Sequence, residues 1–115
     1  MAAPTREDAT LMIQIAQWMA MSGMDDHMPA LWAEDFDPQT ADPMSEPVRH
    51  TLGTFETIAT LVKNDLLSRE LVHDWLWIEG VWDRVGPAAL KVREKAGEPR
   101  LYENFEALAT ESKVG

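Results

Sequence analysis

Hydrophobic positions recur at helical spacing along most of this chain. Val48, Leu52, Phe55, Ala59 and Val62 are separated by 4, 3, 4 and 3 residues, the period that lines one face of an α-helix. Leu71, Trp75, Ile78, Trp82 and Val85 repeat that spacing. The pattern predicts one helix from about Pro47 to Lys63, with Asn64 as a left-handed terminator, and another opening at Ser68. Ser68 is a capping residue, and Glu70 sits in the first turn, where a carboxylate faces the helix dipole. Nearer the start, Leu11, Ile15, Trp18 and Ser22 form a stripe flanked by Met12 and Met19. Thr5 and Asp8 have the spacing of a capping box at its head, and Gly23 is a natural stop. A short helical turn is expected over Pro29–Glu34. Pro87 suits the first turn of a fifth helix ending near Gly97. After Pro99, Leu101, Phe105 and Leu108 share one face of a terminal helix.

Asp35–Pro47 is acidic and holds three prolines, so it reads as a loop. No alternating β-branched run supports a strand. The expectation is an all-α fold: one domain over residues 1–115, a small bundle of four to five helices with an acidic Pro-rich loop at about 35–47.

Two helices carry more apolar surface than one stripe needs. Opposite Leu71, Trp75, Ile78 and Trp82 lie Leu76, Trp77 and Gly80, beside His73 and Arg84. Opposite Leu11 and Trp18 lie Ile13, Ala16 and Ala20, and only Gln14 and Gln17 make a polar strip. A helix apolar on most sides is central or is covered by a second surface. Ile13, Ala16, Ala20, Leu76, Trp77 and Gly80 are therefore candidate interface residues, with a symmetric homodimer as the expected assembly and another protein as an alternative partner. A central fourth helix within a compact monomer is the competing arrangement.

Charge and composition narrow the function. Ten Lys and Arg against 20 Asp and Glu give a net charge of −10, which argues against a nucleic-acid partner because phosphate affinity comes from cations. Zero Cys removes thiolate nucleophiles and Cys-ligated metal sites. The uncharged stretch Ala9–Met24 spans roughly 24 Å as a helix, short of the ~30 Å bilayer core. Its flanks are acidic, so no membrane partner is expected, and the default location is the cytoplasm. The charge is uneven: residues 1–47 hold one base and nine acids, whereas Arg84–Arg100 holds five bases and two acids. A basic patch facing an acidic half could steer association, although such runs also occur as plain solvated helix faces.

Several constellations could carry chemistry. Glu70 and His73 have the Glu-x-x-His spacing of di-iron bundles, with no second pair in the chain. His73-Asp74 matches the dipeptide of HD-type metal phosphohydrolases, for which His50 and Asp83 are the convenient further ligands. Asp35–Glu46 has a calcium-loop outline but has Thr40 where the turn demands glycine. Glu103 with Glu106, and Glu79 with Asp83, are spaced like the carboxylate pairs of helical nucleotide pyrophosphatases. None of these is complete, so no catalytic, metal or cofactor residue is assigned. Met12, Met19, Met21, Met24 and Met28 cluster at one end, where flexible thioethers fill gaps or line an adaptable groove. The two function classes are an association domain and, alternatively, a divalent-metal phosphohydrolase with at least three converging Glu, Asp and His groups.

Phe55-Glu56, Leu61-Val62-Lys63, Trp82, Pro87, Arg93 and the run Leu101–Ala109 resemble a family of small helical bacterial domains of unknown function. The resemblance covers about residues 48–109, its sharpest element being Tyr102-x-x-Phe105-Glu106-x-Leu108. It implies an all-helical fold and supplies no activity or catalytic residues.

Overall fold

The computed structural model describes residues 3–111. It is all-helical, with six helices and no strand among the described residues: α1 (Arg6–Met21), α2 (Met24–Ala30), α3 (Glu46–Lys63), α4 (Arg69–Trp75), α5 (Ile78–Ala96) and α6 (Glu103–Glu111).

The central element is α3, which packs on α2, α5 and α6. Its sequence explains this place. Val48, Leu52, Phe55, Ala59 and Val62 are all buried, and Thr51, Thr54 and Ile58 widen the buried face beyond one stripe. Pro47 sits in the first turn, and the Asn64 side chain donates to the Thr60 carbonyl at the other end. Asn64 itself keeps a negative φ; it is Asp65 that takes the left-handed conformation, at φ 58°.

The capping box of α1 forms as its spacing predicts. The Asp8 amide donates to Thr5 Oγ1 at 3.1 Å, and the Thr5 amide donates to Asp8 Oδ2 at 2.8 Å. Asp8 also accepts from the Ser68 amide at 2.9 Å, tying the head of α1 to the head of α4. These donors, Thr5 foremost, hold the Asp8 carboxyl below its usual range. The short helix expected at Pro29–Glu34 lies earlier, over Met24–Ala30, with Pro29 near its end. Residues 31–45 contain no helix.

The largest departure concerns the helix count. The apolar stripe from Leu71 to Val85 is divided between α4 and α5 by an elbow at Leu76-Trp77, where Leu76 is extended. Beyond the elbow, α5 runs unbroken through Gly86-Pro87, so Pro87 starts no helix. Both outcomes follow from packing. A Cβ at Gly80 would stand 2.2 Å from the Trp77 ring, and one at Gly86 would stand 2.7 Å from the Trp82 ring. Each glycine thus seats a tryptophan from the preceding turn. Trp77 folded down on Gly80 fixes the elbow, and buried Val85, Ala88 and Ala89 hold α5 across the proline.

The C-terminal helix is fastened by residues from α3 and α5. Glu56 Oε1 accepts from the Phe105 amide at 2.8 Å, and Oε2 accepts from Asn104 Nδ2 at 2.9 Å. A carboxylate on α3 therefore caps the first turn of α6, where free amides and the helix dipole favour negative charge. Arg93 donates from Nε to the Leu101 carbonyl at 2.6 Å and pairs with Glu106 at 2.9 Å. Beneath these contacts Phe105 meets Phe55 and Trp82, with ring centroids 5.2 and 5.0 Å apart.

Candidate functional surface

The surface with most unspent apolar character is built by α1, α2 and the elbow. Of the 16 residues of α1, only Ile15 is buried. Met21 is 88% exposed, Ile13 53% and Trp18 42%. Trp18, expected in the core, is therefore left partly exposed. The reason is that α1 packs mainly against the short α2, which is too small to cover a second face.

Of the six candidate interface residues, Ala16, Ala20 and Leu76 are brought together. They line one groove of about 360 Å³ with Met19, Met24, Met28, Pro29, Trp75 and, as its one charged residue, Asp25. Three of the five clustered methionines thus share a groove wall. Ile13 and Ala20 lie on the exposed side of α1, seven residues and about two turns apart. Trp77 is 63% exposed at the elbow, while Gly80 is buried beneath its ring.

Trp77 also stacks on Trp32, with centroids 6.1 Å apart and planes 19° apart, and the Arg84 guanidinium lies 5.7 Å from the Trp32 ring. This Trp32–Trp77–Arg84 tier borders the elbow on the side of the 31–45 segment. Trp32 carries no helical period in the sequence, so only folding reveals its partner.

The cations of Arg84–Arg100 are largely engaged within the chain. Lys91 donates to the Gln39 carbonyl, Arg93 holds Leu101 and Glu106, and Arg100 pairs with Glu103 at 3.0 Å. The last pair lowers the Glu103 carboxyl and raises the Arg100 guanidinium from their usual values, chiefly through their shared hydrogen bond.

The constellations with metal-ligand spacing go to separate partners. His73 faces Glu111 at 3.6 Å, and Arg69 pairs with the same carboxylate at 2.5 Å. His50 lies against His27 instead. Glu103 and Glu106 are each taken by an arginine. Asp37 and Asp42 accept the amides of Gln39 and Met44, each closing a local turn. Among the described residues, no three of His, Cys, Asp and Glu are grouped to hold a metal ion. No helix among them is long and apolar enough to cross a membrane.

A family model described as a domain of unknown function, DUF4760, matches residues 3–112. The chain belongs to this family. The DUF4760 match extends through the first 47 residues, which the motif resemblance had left out, so α1 and α2 are part of the family's own domain. No curated protein and no solved structure matches the chain. Placed on the fold, six of the residues behind the resemblance, Phe55, Glu56, Trp82, Arg93, Phe105 and Glu106, fasten α6. Their role in this DUF4760 chain is to dock a helix.

Proposed function

We propose that this domain works by association with a second copy of itself, through the uncharged face of α1 and the adjoining groove and elbow. The observation that carries the reading is α1: sixteen residues with one buried, and no charge from Ala9 to Met24. A solvated helix is expected to carry charge on its outer face, whereas exposed Ile, Met and Trp without charge are typical of the centre of an interface. Two copies each bearing −10 repel over most of their surfaces, and an uncharged stretch is where they can touch without opposing acids. Ala9, Ile13, Ala16 and Ala20 lie along one side of α1 and permit close approach of helix backbones. The adjoining methionines adapt to whatever a partner presents. A twofold dimer is the simplest closed form.

Ile13→Asp and Ala20→Asp, both at exposed positions of α1, test the reading, each placing a charge where the contact would be dry. Sedimentation velocity should show the wild-type chain as a dimer and each variant as a monomer, with helical circular dichroism retained. Variants that sediment like the wild type would refute it. A wild-type chain that stays monomeric until another protein is added would favour a different partner over a second copy.

A further inference from the structure

The tryptophan tier at the elbow encloses a hollow. Trp32, Pro38, Trp77, Gly80, Asp83 and Arg84 line about 310 Å³, and both indoles are exposed. The hollow adjoins the methionine-lined groove through the consecutive residues Leu76 and Trp77. Its cation is unspent. Arg84 is half-buried, with its guanidinium held over the Trp32 ring. Among the described residues it pairs with no carboxylate, although the chain carries 20 acids. Asp83 is exposed, so salt and water screen its charge more than that of Arg84. The hollow therefore suits an apolar side chain with a carboxylate close beside it.

The segment that supplies Pro38 carries such a group. Six residues on, Met44 is 66% exposed. Asp42 and Glu46, two residues to either side of it, are exposed and pair with no cation among the described residues. Asp42 Oδ1 accepts from the Met44 amide at 2.9 Å, which closes the local turn and leaves the second oxygen available. Of the exposed aliphatic side chains Ile13, Met21, Met44, Leu66 and Leu90, only Met44 is flanked by acids in this way. A thioether also makes favourable contacts with aromatic rings.

We propose that Met44 of one copy seats on the Trp32–Trp77 pair of a second copy, where Asp42 and Glu46 meet Arg84. This rests on the self-association proposed above and names what a second copy presents to the elbow. Hollow and protruding methionine belong to one stretch of chain, so a twofold axis lets each copy fill the other. The contact also answers the charge problem of two acidic chains, since acids of one copy reach a cation that its own chain leaves unpaired. Trp and Arg are the residue types on which interface energy concentrates.

Charge exchange tests whether the contact runs between copies. Arg84→Glu alone, and Asp42→Lys combined with Glu46→Lys, should each weaken the dimer by about tenfold or more in sedimentation velocity, with helical circular dichroism retained. An equimolar mixture of these two variants should dimerise again, because every hollow then meets a segment of opposite charge. Met44→Ala, at an exposed position, should weaken the dimer about tenfold. Lys95→Glu makes the same charge change at an exposed cation outside the hollow and should alter dimerisation by less than about twofold. A mixture that stays monomeric, or a dimer indifferent to Arg84→Glu and Met44→Ala, would overturn this contact and leave pairing through α1 standing. A wild-type chain that is monomeric throughout would overturn it together with self-association.

Discussion

Two parts of this molecule are similarly rich in large apolar side chains and use them in opposite ways. Around α6, Phe55, Phe105, Leu108 and half-buried Trp82 are packed together, and their polar neighbours Glu56, Asn104, Arg93 and Glu106 hold one another. Around α1 and the elbow, Ile13, Trp18, Met21 and Trp77 stand in solvent. The first region is complete within one chain. The second leaves apolar side chains exposed in the single chain, and this is why association, rather than the α6 network, is the function proposed.

Substitutions should separate the two regions by size of effect. Phe105→Ala empties a fully buried ring site and should cost about 3–5 kcal/mol in denaturant unfolding. Glu56→Ala uncaps α6 and strands the Phe105 amide and the Asn104 side chain, costing about 2 kcal/mol; Glu56→Gln should recover part of that. Ile13→Asp in dilute protein should change stability by no more than about 0.5 kcal/mol, because the site is exposed before any partner binds. A loss for Ile13→Asp as large as that for Glu56→Ala would erase the contrast. The smallest expected effect concerns pH. Asp8 has a lowered pKa in the folded chain, so its contribution is present above the usual carboxylate range and fades as pH falls through the lowered value. The stability difference between wild type and Asp8→Asn should therefore shrink below about pH 4, as followed by thermal melts across that range.

How much of this was legible beforehand differs by element. α3 is long, amphipathic throughout and ended by ordinary signals, so its stripe and its burial agree. The cap of α1 was equally plain, since Thr5 and Asp8 interact within three residues. The elbow was not legible, because neither Gly nor Pro marks Leu76-Trp77 and the 4-3-4-3 spacing runs straight across it. Pro87 misled in the other direction: its preference for first turns is real, but buried neighbours carry α5 through it. Trp18 matched the α1 stripe yet is exposed, since periodicity tells which side faces inward and not whether anything is there to cover it. The apolar surplus of α1 and the elbow was visible as Ile13, Ala16, Ala20, Leu76 and Trp77. Its arrangement, with Leu76 beside Ala16 and Ala20 and Trp32 stacked on Trp77, depends on contacts between distant segments that no local spacing encodes. The His27–His50 meeting is of the same kind, joining α2 to α3 across a segment without helical period.

Light scattering of the wild-type chain over the micromolar range tests the central claim most directly. The account predicts a species of about 26 kDa, twice the 13.0 kDa of one chain. A clean 13.0 kDa species throughout that range would contradict it.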